Sequence, residues 1–96
     1  MEKEQEYVVF QDAISFFGEV SQKIMAVEEM SELTKELAKD LRDRGNVEQI
    51  ADEIADVEIT LTQLKMIYNV HDLVDERRDF KLRRLSGSIT ELKKKK

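Results

Sequence analysis

The chain has 96 residues, of which 39% are charged and 41% hydrophobic, with no proline and three glycines. This length allows one small domain, and the composition is typical of an all-α protein rather than a β-sandwich or a disordered chain. Because there is no cysteine and only one histidine, His71, the sequence excludes a disulfide framework and the usual cysteine or histidine zinc sites.

Charge and hydropathy limit the partners of the chain. The net charge is −5, and without residues 93–96 the rest carries 12 basic against 21 acidic side chains, a net charge of −9. Such an acidic surface repels nucleic-acid phosphates. No apolar run approaches the ~18 residues of a membrane span, and the residues after Met1 do not have a signal-peptide pattern. We therefore expect a cytoplasmic protein that binds neither nucleic acid nor membrane.

Four helices are predicted, and Gly18 separates the first two. The first covers about residues 4–17, and Gly18 with Ser21 weakens the helix before the next begins. The second covers about residues 20–44 and carries two neighbouring stripes at helical spacing. Its predicted core stripe is Ala26, Met30, Leu33, Leu37 and Leu41. The stripe beside it is Gln22, Met25, Glu29, Glu32 and Glu36. Gly45 is predicted to follow this helix as its left-handed capping residue.

The third helix repeats this design, and the fourth is basic. Asn46 is the predicted N-cap of a helix that runs to about residue 68, antiparallel to the second because the turn between them is short. Its predicted buried stripe is Ile50, Ile54, Val57, Leu61, Leu64 and Tyr68, with Glu53, Asp56 and Thr60 beside it. The fourth helix covers about residues 73–89. Residues 1–92 are therefore predicted to form one all-α, four-helix domain, and residues 93–96 a disordered basic tail.

Two short acidic motifs lie on the second and third helices. Residues 28–32 have the form E-E-x-x-E, and residues 53–56 have the form E-x-x-D. Side chains three apart on a helix point to the same side, so an antiparallel hairpin can bring the two carboxylate pairs together. Converging carboxylates repel one another unless a cation binds, and Mg²⁺ or Mn²⁺ prefers oxygen ligands. The motifs therefore favour a divalent metal site.

The chain resembles the MazG-type all-α nucleoside triphosphate pyrophosphohydrolases, and among them the short, phage-like members. That family is marked by E-E-x-x-E followed, after a variable spacer, by E-x-x-D. The resemblance covers nearly the whole chain and rests on Gly18-x-x-x-Gln22, residues 27–33, residues 51–64 and the Lys-Leu-Arg-Arg-Leu stretch at 81–85. It implies Mg²⁺-dependent cleavage of a (d)NTP to a (d)NMP and pyrophosphate, serving nucleotide-pool control. It also implies homodimers or homotetramers with sites completed across subunits.

The same resemblance assigns the metal ligands and a proton acceptor. The ligands it implies are Glu29, Glu32, Glu53 and Asp56. Glu28 would lie beside them as a supporting carboxylate. The metal would polarise the phosphate and lower the pKa of a bound water. A carboxylate not fully used as a ligand, Glu28 or Glu32, could then accept the proton of that water.

Four further residues are candidates for substrate contacts: Lys81, Arg84, Phe17 and Gln22. Lys81 and Arg84 are plausible counter-charges for the leaving pyrophosphate. The aromatic residues of the first helix, among them Phe17, could stack on the base.

Other interpretations remain open at this point. With 21 acidic residues, both motifs also arise on solvated helix faces, which is where we place Glu36 and Asp40. A phosphoribosyl-ATP pyrophosphatase would share the acidic pattern and differ in substrate. A non-catalytic helical interaction module would use the acidic residues only as a solvated surface.

Overall fold

A computed structural model describes residues 1–95, and within that range the chain consists of four α-helices and no strand. The helices are α1 (Lys3–Phe17), α2 (Glu19–Leu41), α3 (Val47–Tyr68) and α4 (His71–Lys94). The predicted all-α, four-helix chain is confirmed. α4 continues past residue 89, so Lys93 and Lys94 are helical, while Lys96 lies outside the described residues. None of the helices described is long and apolar enough to cross a membrane.

The breaks between helices follow from their capping residues. Gly18 (φ 89°) is both the C-cap of α1 and the N-cap of α2, a conformation that strains any residue with a side chain. Asn46 caps α3 as predicted, because its side chain accepts hydrogen bonds from the backbone N–H groups of Glu48 (2.9 Å) and Gln49 (3.2 Å). Asn69 ends α3 in the left-handed conformation and leads almost directly into α4.

The turn between α2 and α3 differs from the prediction. α2 ends at Leu41 rather than Arg44, and the left-handed residue of the turn is Asp43 (φ 59°) rather than Gly45. Gly45 is needed for another reason: a Cβ atom there would collide with the backbone and side chain of Asp40. The glycine therefore lets the turn fold back tightly against the end of α2.

α2 and α3 form a helical hairpin at the centre of the fold. α1 packs against both of them. α4 contacts only α3 among the described elements, and none of its residues is buried. The molecule therefore consists of a three-helix body, residues 1–70, and an arm, α4, that extends from it.

The interface between α2 and α3 is polar, which the sequence analysis did not predict. Ala26, 1% exposed, is the one buried hydrophobic residue within residues 1–95. The other buried residues are Gln22, Glu36, Thr60 and Gln63. The two predicted core stripes are largely open: Leu41 is 87% exposed, and Ile54 and Leu61 are also exposed. The prediction that these stripes are buried is confirmed for Ala26 and wrong for the six members that are exposed, and the remaining four are partly buried. The reason is that the polar stripe beside each of them supplies most of the buried residues of α2 and α3.

This arrangement leaves an unusual amount of surface exposed. The accessible surface is 8043 Å², whereas a compact monomer of this mass exposes about 5,700 Å². The radius of gyration is 17.0 Å, against about 12.5 Å for a compact domain of this length. The single chain is therefore extended, with the apolar stripes of α2 and α3 and the whole of the arm open to solvent.

Two glycine substitutions test the description of the turn. Gly45→Ala forces a methyl group into Asp40, so we expect the free energy of unfolding to fall by about 1–3 kcal/mol. Gly87→Ala, in the middle of α4, meets nothing within 4 Å and should stabilise the chain by up to about 1 kcal/mol through helix propensity. Thermal and urea denaturation measure both effects. Equal stability of the two variants would contradict the close approach of Gly45 to Asp40.

Candidate metal centre

Three carboxylates from two helices meet at the centre of the hairpin. Oxygen atoms of Glu29 on α2 and of Glu53 and Asp56 on α3 all lie within 4.8 Å of one another. Glu29 and Glu53 are half-buried, and Asp56 is exposed. The set offers oxygen atoms only, which is the donor chemistry that Mg²⁺ and Mn²⁺ prefer. The convergence predicted from the two motifs is present for these three residues.

The local sequence explains why the three side chains meet. Glu53 and Asp56 are three residues apart on α3 and therefore point to the same side of the helix. Glu29 lies about as far before Asp43, in the turn, as Asp56 lies after it, so the antiparallel hairpin brings them level. The Asn46 cap fixes where α3 begins, and with it the register of this pair.

No cation of the described chain neutralises this cluster. Within residues 1–95, none of the three carboxylates takes part in a salt bridge. Further along α2, Lys39 Nζ pairs instead with Glu36 Oε1 at 3.1 Å. In addition, Glu53 Oε2 is buried and has no hydrogen-bond partner. A buried carboxylate oxygen without a partner is costly, so the cluster is suited to an added cation.

Electrostatics raises the pKa of two members of the cluster. Partial desolvation raises the pKa of Glu29, and the charge of Asp56 together with a hydrogen bond to it adds to this effect. Partial desolvation also raises the pKa of Glu53, followed in size by the charges of Asp56 and Glu32. The ionised forms of Glu29 and Glu53 are therefore less stable here than in water. A divalent cation would favour those ionised forms.

A row of uncharged polar side chains continues the cluster along the hairpin. Thr60 and Gln63 follow Asp56 along the same side of α3, and Gln22 lies on α2. The Thr60 hydroxyl donates to the carbonyl oxygen of Val57 (2.9 Å). Gln22 donates to the sulfur of Met25 (3.6 Å), but its buried Oε1 has no partner. Gln63 was not predicted to belong to this row, although it lies three residues after Thr60 and seven after Asp56 and therefore on the same side of α3.

The other predicted acidic residues lie around the cluster rather than in it. Glu32 is exposed and is not one of the three converging carboxylates, but its charge acts on both Glu29 and Glu53. Glu28 is exposed on α2. Glu36 forms the expected pair with Lys39 but is buried, so its predicted place on the solvated surface is wrong. It is buried because it lies on the polar stripe through which α2 meets α3.

Of the four predicted substrate contacts, Gln22 is buried in the α2–α3 hairpin, whereas Phe17, Lys81 and Arg84 lie on other helices. Phe17 is exposed and packs edge-to-face on Phe16, with ring centroids 5.0 Å apart. Lys81 and Arg84 lie on the arm, and neither forms a salt bridge within residues 1–95. The Arg84 guanidinium instead lies 6.0 Å from the ring centroid of Phe80. These assignments stay predictions.

A cleft lies between α1 and α3. Its volume is about 560 Å³, and its walls include the aromatic rings of Tyr7 and Phe10. Ala55, which neighbours Asp56, and Ile59 line the opposite wall. The cleft combines apolar walls with the charged side chains of Lys3, Glu6 and Glu58, a combination found in small-molecule sites.

Comparisons of the chain with protein-family models, with curated proteins and with solved structures found no match.

The raised pKa values predict how stability depends on pH in the absence of metal. The folded state holds protons on Glu29 and Glu53 at higher pH than the unfolded chain does. Their contribution to stability is therefore fully present below the ordinary carboxylate pKa and is lost as the pH rises through the raised values. Glu53→Gln mimics the protonated group, so in EDTA it should melt at a higher temperature than the wild type near pH 7, and the difference should shrink toward about pH 4.

Differential scanning calorimetry in EDTA measures this dependence. Glu48→Gln is the matched control, because Glu48 is an exposed glutamate in the first turn of the same helix. We expect no gain in melting temperature from it. A Glu53→Gln variant that melts below the wild type at neutral pH would show that Glu53 is not under electrostatic stress.

Proposed function

We propose that this chain is a divalent-metal-dependent nucleoside triphosphate pyrophosphohydrolase, which cleaves a (d)NTP to a (d)NMP and pyrophosphate. The observation that carries the proposal is the convergence of Glu29, Glu53 and Asp56 within 4.8 Å. They come from the two motifs on which the family resemblance rests. The unpartnered, buried Glu53 Oε2 supports a cation at this point, because a solvated acidic surface would not bury such an atom.

The proposed metal ligands are Glu29, Glu53 and Asp56. The charge of Glu32 contributes to the raised pKa of Glu29 and of Glu53. A bound Mg²⁺ would polarise the phosphate and lower the pKa of a bound water. An anionic triphosphate cannot approach these carboxylates unaided, so the substrate and the cation must bind together.

Side chains of this protein would carry out the proton transfer and stabilise the leaving group. Water attacks the α-phosphorus, its proton passes to a carboxylate, and the bridging bond between the α- and β-phosphates breaks. Glu32 and Glu28 are the proposed acceptors of the proton. The charge of Glu32 acts on Glu29 and Glu53, Glu28 precedes Glu29 in the first motif, and neither is one of the three converging members. Lys81 and Arg84 are the proposed counter-charges for the leaving pyrophosphate.

The proposed place for the base is the cleft between α1 and α3. The rings of Tyr7 and Phe10 line it and could stack on a base. This changes the earlier expectation in one respect: the aromatic residues of the first helix that line the cleft are Tyr7 and Phe10, and Phe17 is not among them. The cleft offers stacking surface for a heterocycle, and Lys3, Glu6 and Glu58 add charged groups to its lining.

The decisive experiment measures pyrophosphate release from NTPs, dNTPs and phosphoribosyl-ATP, with Mg²⁺ or EDTA. We expect release that requires Mg²⁺ and falls by at least about a hundredfold in Glu53→Gln, because a lost ligand removes stabilisation of the transition state. Glu48→Gln, matched in charge and helix, should keep wild-type activity. The best substrate separates the nucleotide enzyme from the phosphoribosyl-ATP enzyme. No release from any substrate by folded protein would reject catalysis and favour the interaction module.

Metal binding is expected to stabilise the fold. A ligand that binds only the folded state adds about 2.7 kcal/mol at a concentration of a hundred times its Kd. Mg²⁺ or Mn²⁺ should therefore raise the melting temperature of the wild type, and Glu53→Gln should remove most of that rise. The melting temperature in buffer without added divalent cations, with and without EDTA, provides the baseline. An equal rise in both proteins would place the bound ion away from Glu53.

A further inference from the structure

The cleft between α1 and α3 carries three charged side chains that form no salt bridge within residues 1–95. Lys3 and Glu6 contribute to its α1 wall, and Glu58 contributes to its α3 wall. Lys3 and Glu6 lie one turn apart on the same side of α1, a spacing at which an ion pair often forms. Because they do not pair with each other, their hydrogen-bonding capacity is available to a ligand in the cleft.

The three charged side chains lie toward the same end of the cleft. A second cleft shares Tyr7 and Met66 with the first and continues along later residues of both α1 and α3. The two helices therefore run in the same direction here. Lys3 and Glu6 come first among the lining residues of α1, and Glu58 comes early among those of α3, so these side chains lie near one another.

Flat apolar surface lies beside the charged end. Tyr7 and the half-buried Phe10 form one wall, and Ile59 and Met66 form part of the other. Gln11 Nε2 donates a hydrogen bond to Tyr7 Oη at 3.0 Å, which helps to hold that ring in place. Walls of this kind stack on any heterocycle, so a choice among bases must come from the charged side chains.

The position of Glu58 on α3 determines which edge of a base it meets. At 100° per residue, Ile59 lies about 60° around α3 from Asp56, and Glu58 lies about 160° away in the same direction. A nucleotide with its phosphates at the acidic cluster therefore crosses Ile59 first and reaches Glu58 last. The edge of a base opposite its bond to the sugar is the Watson–Crick edge, so that is the edge that faces the charged end.

The charged end offers two hydrogen-bond acceptors and one donor. A carboxylate only accepts hydrogen bonds, and an ammonium group only donates them. The Watson–Crick edge of guanine is complementary, because N1–H and the N2 amino group donate and O6 accepts. Adenine, cytosine, uracil and thymine each present a single donor group on that edge. With any of them, one carboxylate would lose its contact with water and gain no hydrogen bond in return.

We propose that this cleft selects guanine nucleotides. The carboxylates of Glu6 and Glu58 accept hydrogen bonds from N1–H and the N2 amino group, and Lys3 donates to O6. The selection rests on the proposed function for the place of the phosphates, and it narrows the substrate class to GTP and dGTP. Glu58 is exposed and Glu6 half-buried, so water competes with the base. The expected selection is therefore about tenfold, well below the roughly 10⁴-fold selection of an enclosed polar site.

Relative rates of pyrophosphate release test the selection. ITP differs from GTP only in lacking the N2 amino group, so kcat/KM for GTP should exceed that for ITP by about tenfold. In Glu6→Ala/Glu58→Ala this ratio should fall to about one. Glu4→Ala/Glu48→Ala is the matched control, because it removes one exposed glutamate from each of the same two helices outside the cleft, and it should keep the wild-type ratio. An unchanged ratio in Glu6→Ala/Glu58→Ala would overturn the selection, since a purely structural role slows both substrates equally.

Exchange of an acceptor for a donor gives a second measurement. A glutamine side chain has an amino group that donates, and xanthine has a carbonyl oxygen in place of the N2 amino group of guanine. The carboxylate that meets this position should therefore, when replaced by Gln, raise kcat/KM for XTP relative to GTP by about tenfold. No rise in either Glu6→Gln or Glu58→Gln would overturn the contact with the N2 position.

Two results separate the selection from the proposed function. If the wild type releases pyrophosphate but shows no preference for GTP over ITP, the selection is wrong and the proposed function stands. If it releases none from any triphosphate, the proposed function fails, and equilibrium dialysis with GMP and IMP in Mg²⁺ decides the selection. Binding of GMP about tenfold tighter than that of IMP would support it, whereas equal or undetectable binding would overturn it.

Discussion

The fold depends on a helix pair that meets through charged and polar side chains. α2 and α3 bury Gln22, Glu36, Thr60 and Gln63 where a helical hairpin usually buries leucine and isoleucine. Each such group requires a hydrogen bond or a counter-ion, and the buried oxygens of Gln22 and Glu53 have none within residues 1–95. The interface between α2 and α3 therefore gains less packing energy than an apolar interface would. In return, it holds three carboxylates close together on two rigid helices, which a loop could not do as firmly.

Because α2 and α3 meet through polar side chains, many of their apolar residues lie on the surface of the single chain. An amphipathic helix has one apolar side, and if a different side faces its neighbour, the apolar residues are left in solvent. This is the condition of Leu41, Ile54 and Leu61, and it repeats on the arm with Leu82 and Leu85. Within residues 1–95 the single chain buries one hydrophobic residue, so its own core contributes little stability. The polar interface and the exposed apolar surface are thus two consequences of one sequence pattern.

The sequence predicts those parts that depend on neighbouring residues. The Gly18 break and the Asn46 cap follow from local backbone chemistry, and Glu53 with Asp56 follows from helical spacing. The failures concern which sides of two helices meet. Hydrophobic periodicity predicted the leucine stripes as the interface, and Glu36 was placed in solvent, because a pattern gives the apolar side but not the element that covers it. Gly45 was assigned the correct turn for the wrong reason, since its contact with Asp40 depends on the tertiary path of the turn.

The acidic cluster and the apolar stripe of α3 act on each other through the geometry of one helix. Glu53 lies a turn from Ile50 and Val57, so whatever covers the stripe also lowers the exposure of Glu53 to water. A lower exposure strengthens both the repulsion among the carboxylates and their attraction to a cation. Covering the stripe without supplying positive charge would therefore raise the cost of the cluster. A helix whose apolar residues are flanked by arginine and lysine would supply both at once, and α4 has that composition.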